Sequence, residues 1–175
     1  MVVARFSYKD YTYSGGRICS KPIGYITITN GGHSLSPTFI IDTGADKTTI
    51  NYDIGKNLGF AEPTPEEKQN APTLTCASGK PMGFLQKNVR LKVGTAPDFP
   101  FKIAWCFDSP GENIMGLDLH DQFKFLFDKE NKTILLTKHT KPAFNSEEVL
   151  KKYRQLKTPP RPKRSVFHKL FSSKR

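Results

Sequence analysis

The sequence has no long apolar run. Stretches such as Phe39-Ile40-Ile41 last only a few residues, whereas a helix spanning a bilayer needs about 20. Met1 to Tyr13 lacks the apolar core of a signal peptide. Cysteine is scarce. Cys19, Cys76 and Cys106 are scattered, with no Cys-x-x-Cys pair, which leaves no basis for a disulfide framework or a zinc knuckle. The expectation is reduced thiols in the cytoplasm, where the Asn131-Lys132-Thr133 triplet carries no glycan. No Gly-x-x-x-x-Gly-Lys-Ser/Thr loop occurs, which excludes a P-loop nucleotide enzyme. His33, His120, His139 and His168 lie far apart and form no His-Glu-x-x-His, so neither a metal nor another cofactor is expected. No internal repeat is visible.

What is present fits one folded domain with an extension. The chain has 175 residues, too few for two full domains. Thirteen Phe, six Tyr and one Trp are more aromatics than a wholly disordered chain carries. The net charge of +11 is unevenly placed. Residues 1–137 hold 15 Lys and Arg against 14 Asp and Glu; residues 138–175 hold 12 against 2. The main domain is therefore near neutral, and the basicity gives it no character of a nucleic-acid binder.

Along the chain, short strand-like segments alternate with Gly, Pro and Asn. Ile23 to Thr29 alternates apolar and polar and ends at Asn30-Gly31-Gly32, a tight-turn signal. Pro37 to Asn51 is apolar and β-branched on both sides of Asp42-Thr43-Gly44. Tyr52 to Leu58 predicts a short helix stopped by Gly59, and Ala61 to Pro72 a polar, Pro-rich loop. Thr73 to Cys76 and Pro81 to Val93 flank Ser78-Gly79 as a hairpin. Phe99 to Phe107 and Asn113 to Met115 predict strands, and Phe123 to Phe127 with Thr133 to Thr137 a further hairpin. Seven or eight strands and little helix predict an all-β domain. The organisation expected is an arm over 1–16, a main domain over 17–137 and a basic tail over 138–175.

The chemistry concentrates in Phe39-Ile40-Ile41-Asp42-Thr43-Gly44-Ala45-Asp46. An acid follows three large apolar residues and precedes a hydroxyl and a glycine. A carboxylate beside an apolar strand is costly unless its charge is shared or hydrogen-bonded. Gly44 lets the backbone turn and bring its N–H to that carboxylate. The same pattern also suits a plain Asx-turn at a strand end. Some seventy residues on, Asn113-Ile114-Met115-Gly116-Leu117-Asp118 repeats the theme of an apolar strand, a glycine and an acid.

Taken together, these elements make the sequence resemble the retropepsin-like family of aspartic proteases over about residues 17 to 137. Ile114-Met115-Gly116 fits the apolar-apolar-Gly element that packs beside the family's catalytic Asp-Thr-Gly loop. Ser78-Gly79 fits the tip of its flap, and the three occur in the family's order. The resemblance implies a closed, barrel-like all-β domain with a flap hairpin. It implies catalysis by two carboxylates that share one proton, one as base on a water and the other as acid toward the scissile carbonyl. This chain has one Asp-Thr-Gly, and the nearest imitation, Asp108-Ser109-Pro110, has Pro in place of Gly. One chain thus supplies one carboxylate, and the expectation is a homodimer with Asp42 from each subunit.

By the same resemblance Thr43 braces the two loops across the two-fold and Gly44 presents its backbone to the dyad. Ala45 and Asp46 contact substrate backbone, and Ser78 and Gly79 close over a polypeptide substrate held as an extended strand. Many viral members have Arg after the downstream Gly, paired with an acid at the position of Asp46. Here Leu117 stands there, followed by Asp118, as in cellular and bacterial members. This puts the viral-type ion pair in doubt and leaves the dyad untouched.

Two other readings compete. Asp46-Lys47-Thr48-Thr49 resembles the phosphorylated Asp-Lys-Thr-Gly of ion pumps, but lacks its Gly, and the chain is too short for the pump's other domains. A catalytically silent dimerisation or peptide-binding module would use the same fold, yet would not need a costly buried acid pair. In the tail, Ser146 caps a predicted helix over Glu147 to Lys157. Residues 158–175 combine Phe167, Leu170 and Phe171 with Lys and Arg, chemistry suited to an anionic membrane surface or nucleic acid. Arg161-Pro162-Lys163-Arg164 resembles a weak nuclear-import cluster, and Pro159 to Pro162 a PxxP docking motif. A solvated extension that keeps the protein soluble is the bland alternative.

Overall fold

The computed structural model of the protein describes residues 1–75, 81–108 and 111–138. The chain divides into two units, Met1–His139 and Thr140–Arg175. The second unit, with the predicted tail helix and the basic cluster, lies outside the described residues. Among those described, no helix is long and apolar enough to cross a membrane.

Among the described residues twelve strands are present where the sequence patterns suggest seven or eight: β1 (Val2–Thr12), β2 (Ile18–Tyr25), β3 (Thr27–Asn30), β4 (His33–Leu35), β5 (Thr38–Ile41), β6 (Thr49–Ile50), β7 (Thr73–Thr75), β8 (Pro81–Lys92), β9 (Phe99–Cys106), β10 (Asn113–Met115), β11 (Phe123–Asp128) and β12 (Thr133–Lys138). They form a curled half-barrel sheet in the order β11-β12-β1-β2-β5-β10-β6-β9-β8-β3-β4, with β7 paired to β8.

Turn chemistry sets several of these pairings. Asn30 opposite His33 closes the β3–β4 hairpin over Gly31, which adopts a φ of +55° that an L side chain resists. Ile26, fully buried, separates β2 from β3. The N-terminal segment is the strand β1, lodged between β12 and β2. Its alternation puts Ala4 and Phe6 in the core while Arg5 and Lys9 face out.

Two short α-helices lie between β6 and β7. The first, α1 (Tyr52–Asn57), begins where Asn51 Oδ1 accepts the Ile54 N–H at 3.0 Å, and Gly59 turns the chain out of it at φ +76°. The second, α2 (Pro65–Gln69), lies inside the segment expected to be loop. Thr64 and Glu67 form a reciprocal capping box, with Pro65 at the first helical position. The composition read as irregular; the local capping signal was the better guide.

The core gathers Phe39, Ile41, Ile50, Leu58, Leu91, Ile103, Trp105 and Met115, all nearly or fully buried, between sheet and helix. Trp105 anchors α1. Its ring stacks on Tyr52 at 5.9 Å, meets Phe60 at 5.4 Å and donates its indole N–H to Tyr52 O at 3.2 Å. Removing a ring so buried costs about 3–5 kcal/mol. A smaller apolar cluster, Phe84, Ala104 and Cys106 with Leu74 and Met82, sits where β7, β8 and β9 meet.

Candidate active site

The site is built on a three-strand unit. β10 lies between β5, to which it runs parallel, and β6, to which it is antiparallel. β5 and β6 are the strands that enter and leave the Asp42 loop. The loop over residues 42–48 therefore wraps the end of β10. Phe39 and Ile41 on β5 and Met115 on β10 bury their side chains in the core, so hydrophobic burial fixes the register beneath the loop. At the opposite end Asn113, 8% exposed, ties both flanks together. Its Oδ1 accepts the Asn51 N–H at 3.0 Å and its Nδ2 donates to Thr38 O at 3.0 Å.

Above this unit the backbone is pinned at each step. Asp42 N–H donates to Met115 O at 3.0 Å and Ala45 N–H to Asp42 O at 3.3 Å. Gly44 N–H donates to Asp42 Oδ1 at 2.8 Å, the contact its lack of a side chain was expected to allow. A Cβ at residue 44 would stand 3.2 Å from that same oxygen. The apolar strand thus ends in a carboxylate whose own loop orients it. Asp42, Thr43 and Gly44 are exposed, as is Asp46, while Ala45 is half-buried. The costly burial of the acid that the apolar context suggests is absent, because the chain turns at the sheet's end and lifts the carboxylate out of the core.

Ile114, Met115 and Gly116 lie beside this loop. Ile114 pairs with Ile40 on one side and Thr49 on the other. Gly116 is indispensable by space: a Cβ there would meet Lys47 C at 2.4 Å and Ala45 O at 2.8 Å. Leu117 N–H donates to Ala45 O at 2.8 Å and Asp118 N–H to Asp46 O at 3.3 Å. Leu117 is 40% exposed, and among the described residues Asp46 makes no ion pair. Ser78 and Gly79 lie outside the described residues; the hairpin they join is β7 with β8, in register from Thr75 opposite Pro81.

Sequence reasoning gave Thr48 no part in this site and noted Asp118 only as an acid following Gly116 and Leu117. Thr48 is fully buried, and both its N–H and its hydroxyl reach the Asp118 carboxylate. Nothing local in the sequence joins positions 48 and 118. Among the described residues no three His, Cys, Asp or Glu cluster closely enough to hold a metal ion.

A carboxylate loop between two strands, an apolar-apolar-Gly strand threaded between them, and a hairpin inserted in sequence between loop and strand are the elements the motifs implied. The fold is all-β, as the strand patterns predict. No family model matches the chain, and no curated protein does. Among solved structures it is similar to a retropepsin-like aspartic protease from Rickettsia conorii, at 16% identity and a TM-score of 0.48, over 76% of this chain and 88% of that one. It is also similar to EIAV protease, solved in complex with the inhibitor HBY-793, at 18% identity and a TM-score of 0.44, over 63% of this chain and 93% of that one.

Proposed function

We propose that the protein is an aspartic endopeptidase that works as a homodimer, with Asp42 of each protomer forming one dyad. The observation that carries this reading is the Asp42 loop itself: an exposed carboxylate held by the Gly44 N–H at 2.8 Å on a rigid three-strand base. A chain with a single such loop needs a second copy to supply the other carboxylate.

In the dyad the two carboxylates share one proton, because like charges so close do not both ionise. The ionised Asp42 takes a proton from water as the water attacks the scissile carbonyl. The protonated Asp42 of the second protomer donates to the carbonyl oxygen. Thr43 braces the two loops across the two-fold axis. Ala45 and Asp46 contact the backbone of an extended substrate, and the exposed, unbridged carboxylate of Asp46 is available for that contact. Ser78 and Gly79 close over the substrate from the β7–β8 hairpin.

Digestion of a mixed peptide pool from pH 4 to 7 tests this reading. The wild type is expected to cleave and Asp42→Asn to be inert. Equal cleavage by both would refute a role for Asp42. No cleavage by either would favour the silent peptide-binding module.

A further inference from the structure

We propose, building on the protease reading, that Thr48 and Asp118 are positioning residues that fix the Asp42 loop through a directed hydrogen-bond relay. Thr48 is the last residue of the loop and is fully buried. Its N–H donates to Asp118 Oδ1 at 2.9 Å and to Oδ2 at 3.0 Å, and its hydroxyl donates to Oδ1 at 2.6 Å. An ionised carboxylate can only accept, so the Thr48 hydroxyl spends its single proton on Asp118. Its oxygen is thereby left to accept the Gly116 N–H, which it does at 3.1 Å. The chemistry dictates the direction of every bond from Gly116 through Thr48 to Asp118.

The relay closes a clamp. Leu117 and Asp118 donate their N–H groups to the carbonyls of Ala45 and Asp46. The Asp118 side chain meanwhile holds Thr48, so residues 116–118 form a template for residues 45–48. The other half of the loop hangs from Met115 through Asp42 N–H. Asp42 is therefore gripped from both sides by one short strand and its extension. No valine could replace Thr48 without leaving the Gly116 amide unmet and the carboxylate short of a donor. A serine could.

The test uses the full chain with Thr48→Val, Thr48→Ser and Asp118→Asn. One readout is the amide resonance and hydrogen exchange of Gly44, whose N–H reports on Asp42 Oδ1. The other is peptide hydrolysis. Thr48→Val should shift the Gly44 resonance and speed its exchange. It should lower kcat by roughly ten- to a hundredfold, with KM changed by less than about twofold. Thr48→Ser should restore both readouts. Should Thr48→Val fail to fold, Asp118→Asn, which keeps one acceptor oxygen, is expected to displace Gly44 partially. A folded Thr48→Val or Asp118→Asn with an unmoved Gly44 amide and unchanged kcat would overturn the proposal, as would a serine variant no better than the valine one. A wild type that cleaves nothing, yet whose Gly44 amide responds as described, would sink the protease reading and leave the relay standing.

Discussion

Gly116→Ala should unseat the Asp42 loop, and the size of the effect follows from contacts that cannot relax by side-chain rotation. The new methyl would lie 2.4 Å from Lys47 C, 2.5 Å from Lys47 O and 2.8 Å from Ala45 O, against the roughly 3.5–4.0 Å that carbon contacts prefer. All three are backbone atoms, so the loop must retreat by about 1 Å. Overpacking of this kind costs about 1–3 kcal/mol. The retreat also strains the bonds from Gly116 N–H to Thr48 Oγ1 and from Leu117 N–H to Ala45 O, each contributing about 1 kcal/mol. The total is about 3–5 kcal/mol, which for a chain of this size lowers Tm by about 6–20 °C. Thermal unfolding followed by circular dichroism measures it. Gly32→Ala serves as control, since a Cβ there meets nothing within 4 Å. A Gly116→Ala variant melting as the control does would refute the close approach of loop and strand.

Two further outcomes are expected. Gly55→Ala drives a methyl to within 2.2 Å of Trp105 Nε1; because the sequence holds one Trp, its fluorescence should shift to the red as the ring is displaced, with a fall in Tm, and an unchanged spectrum would contradict the packing. Burial pushes the His120 imidazole below its ordinary value of 6.5, against the upward pull of Asp118 and Asp121. Its ring stacks on Phe125 at 4.1 Å. The folded state then binds fewer protons than the unfolded one, so this contribution to stability is full above pH 6.5 and is lost as pH falls below it. His120→Gln should flatten that part of the stability–pH curve, and an identical curve would argue against it.

Most of the fold could be read locally because local chemistry made it. Asn30-Gly31-Gly32 demanded a turn, Asn51 and Gly59 bounded a helix, and the apolar residues around Asp42 marked strands. β1 was harder to see, since Arg5, Lys9 and Asp10 on its outer face dilute its apolar alternation. α2 was hidden by its prolines although Thr64-Pro65-Glu66-Glu67 spelled a capping box. The exposure of Asp42 depends on where the sheet ends, which no window of sequence contains. The contact of Thr48 with Asp118 spans 70 positions, and only the threading of β10 between β5 and β6 brings the two together.

The central claim, one active site shared by two copies of Asp42, is tested most directly by mixing. Wild-type and Asp42→Asn protomers are combined in equal amounts, allowed to exchange, and assayed for peptide cleavage at constant total protein. If both carboxylates are needed, only pairs of wild-type protomers work, and activity falls to about one quarter of the all-wild-type value. Activity at about one half would mean that each protomer acts alone, and would contradict the shared dyad.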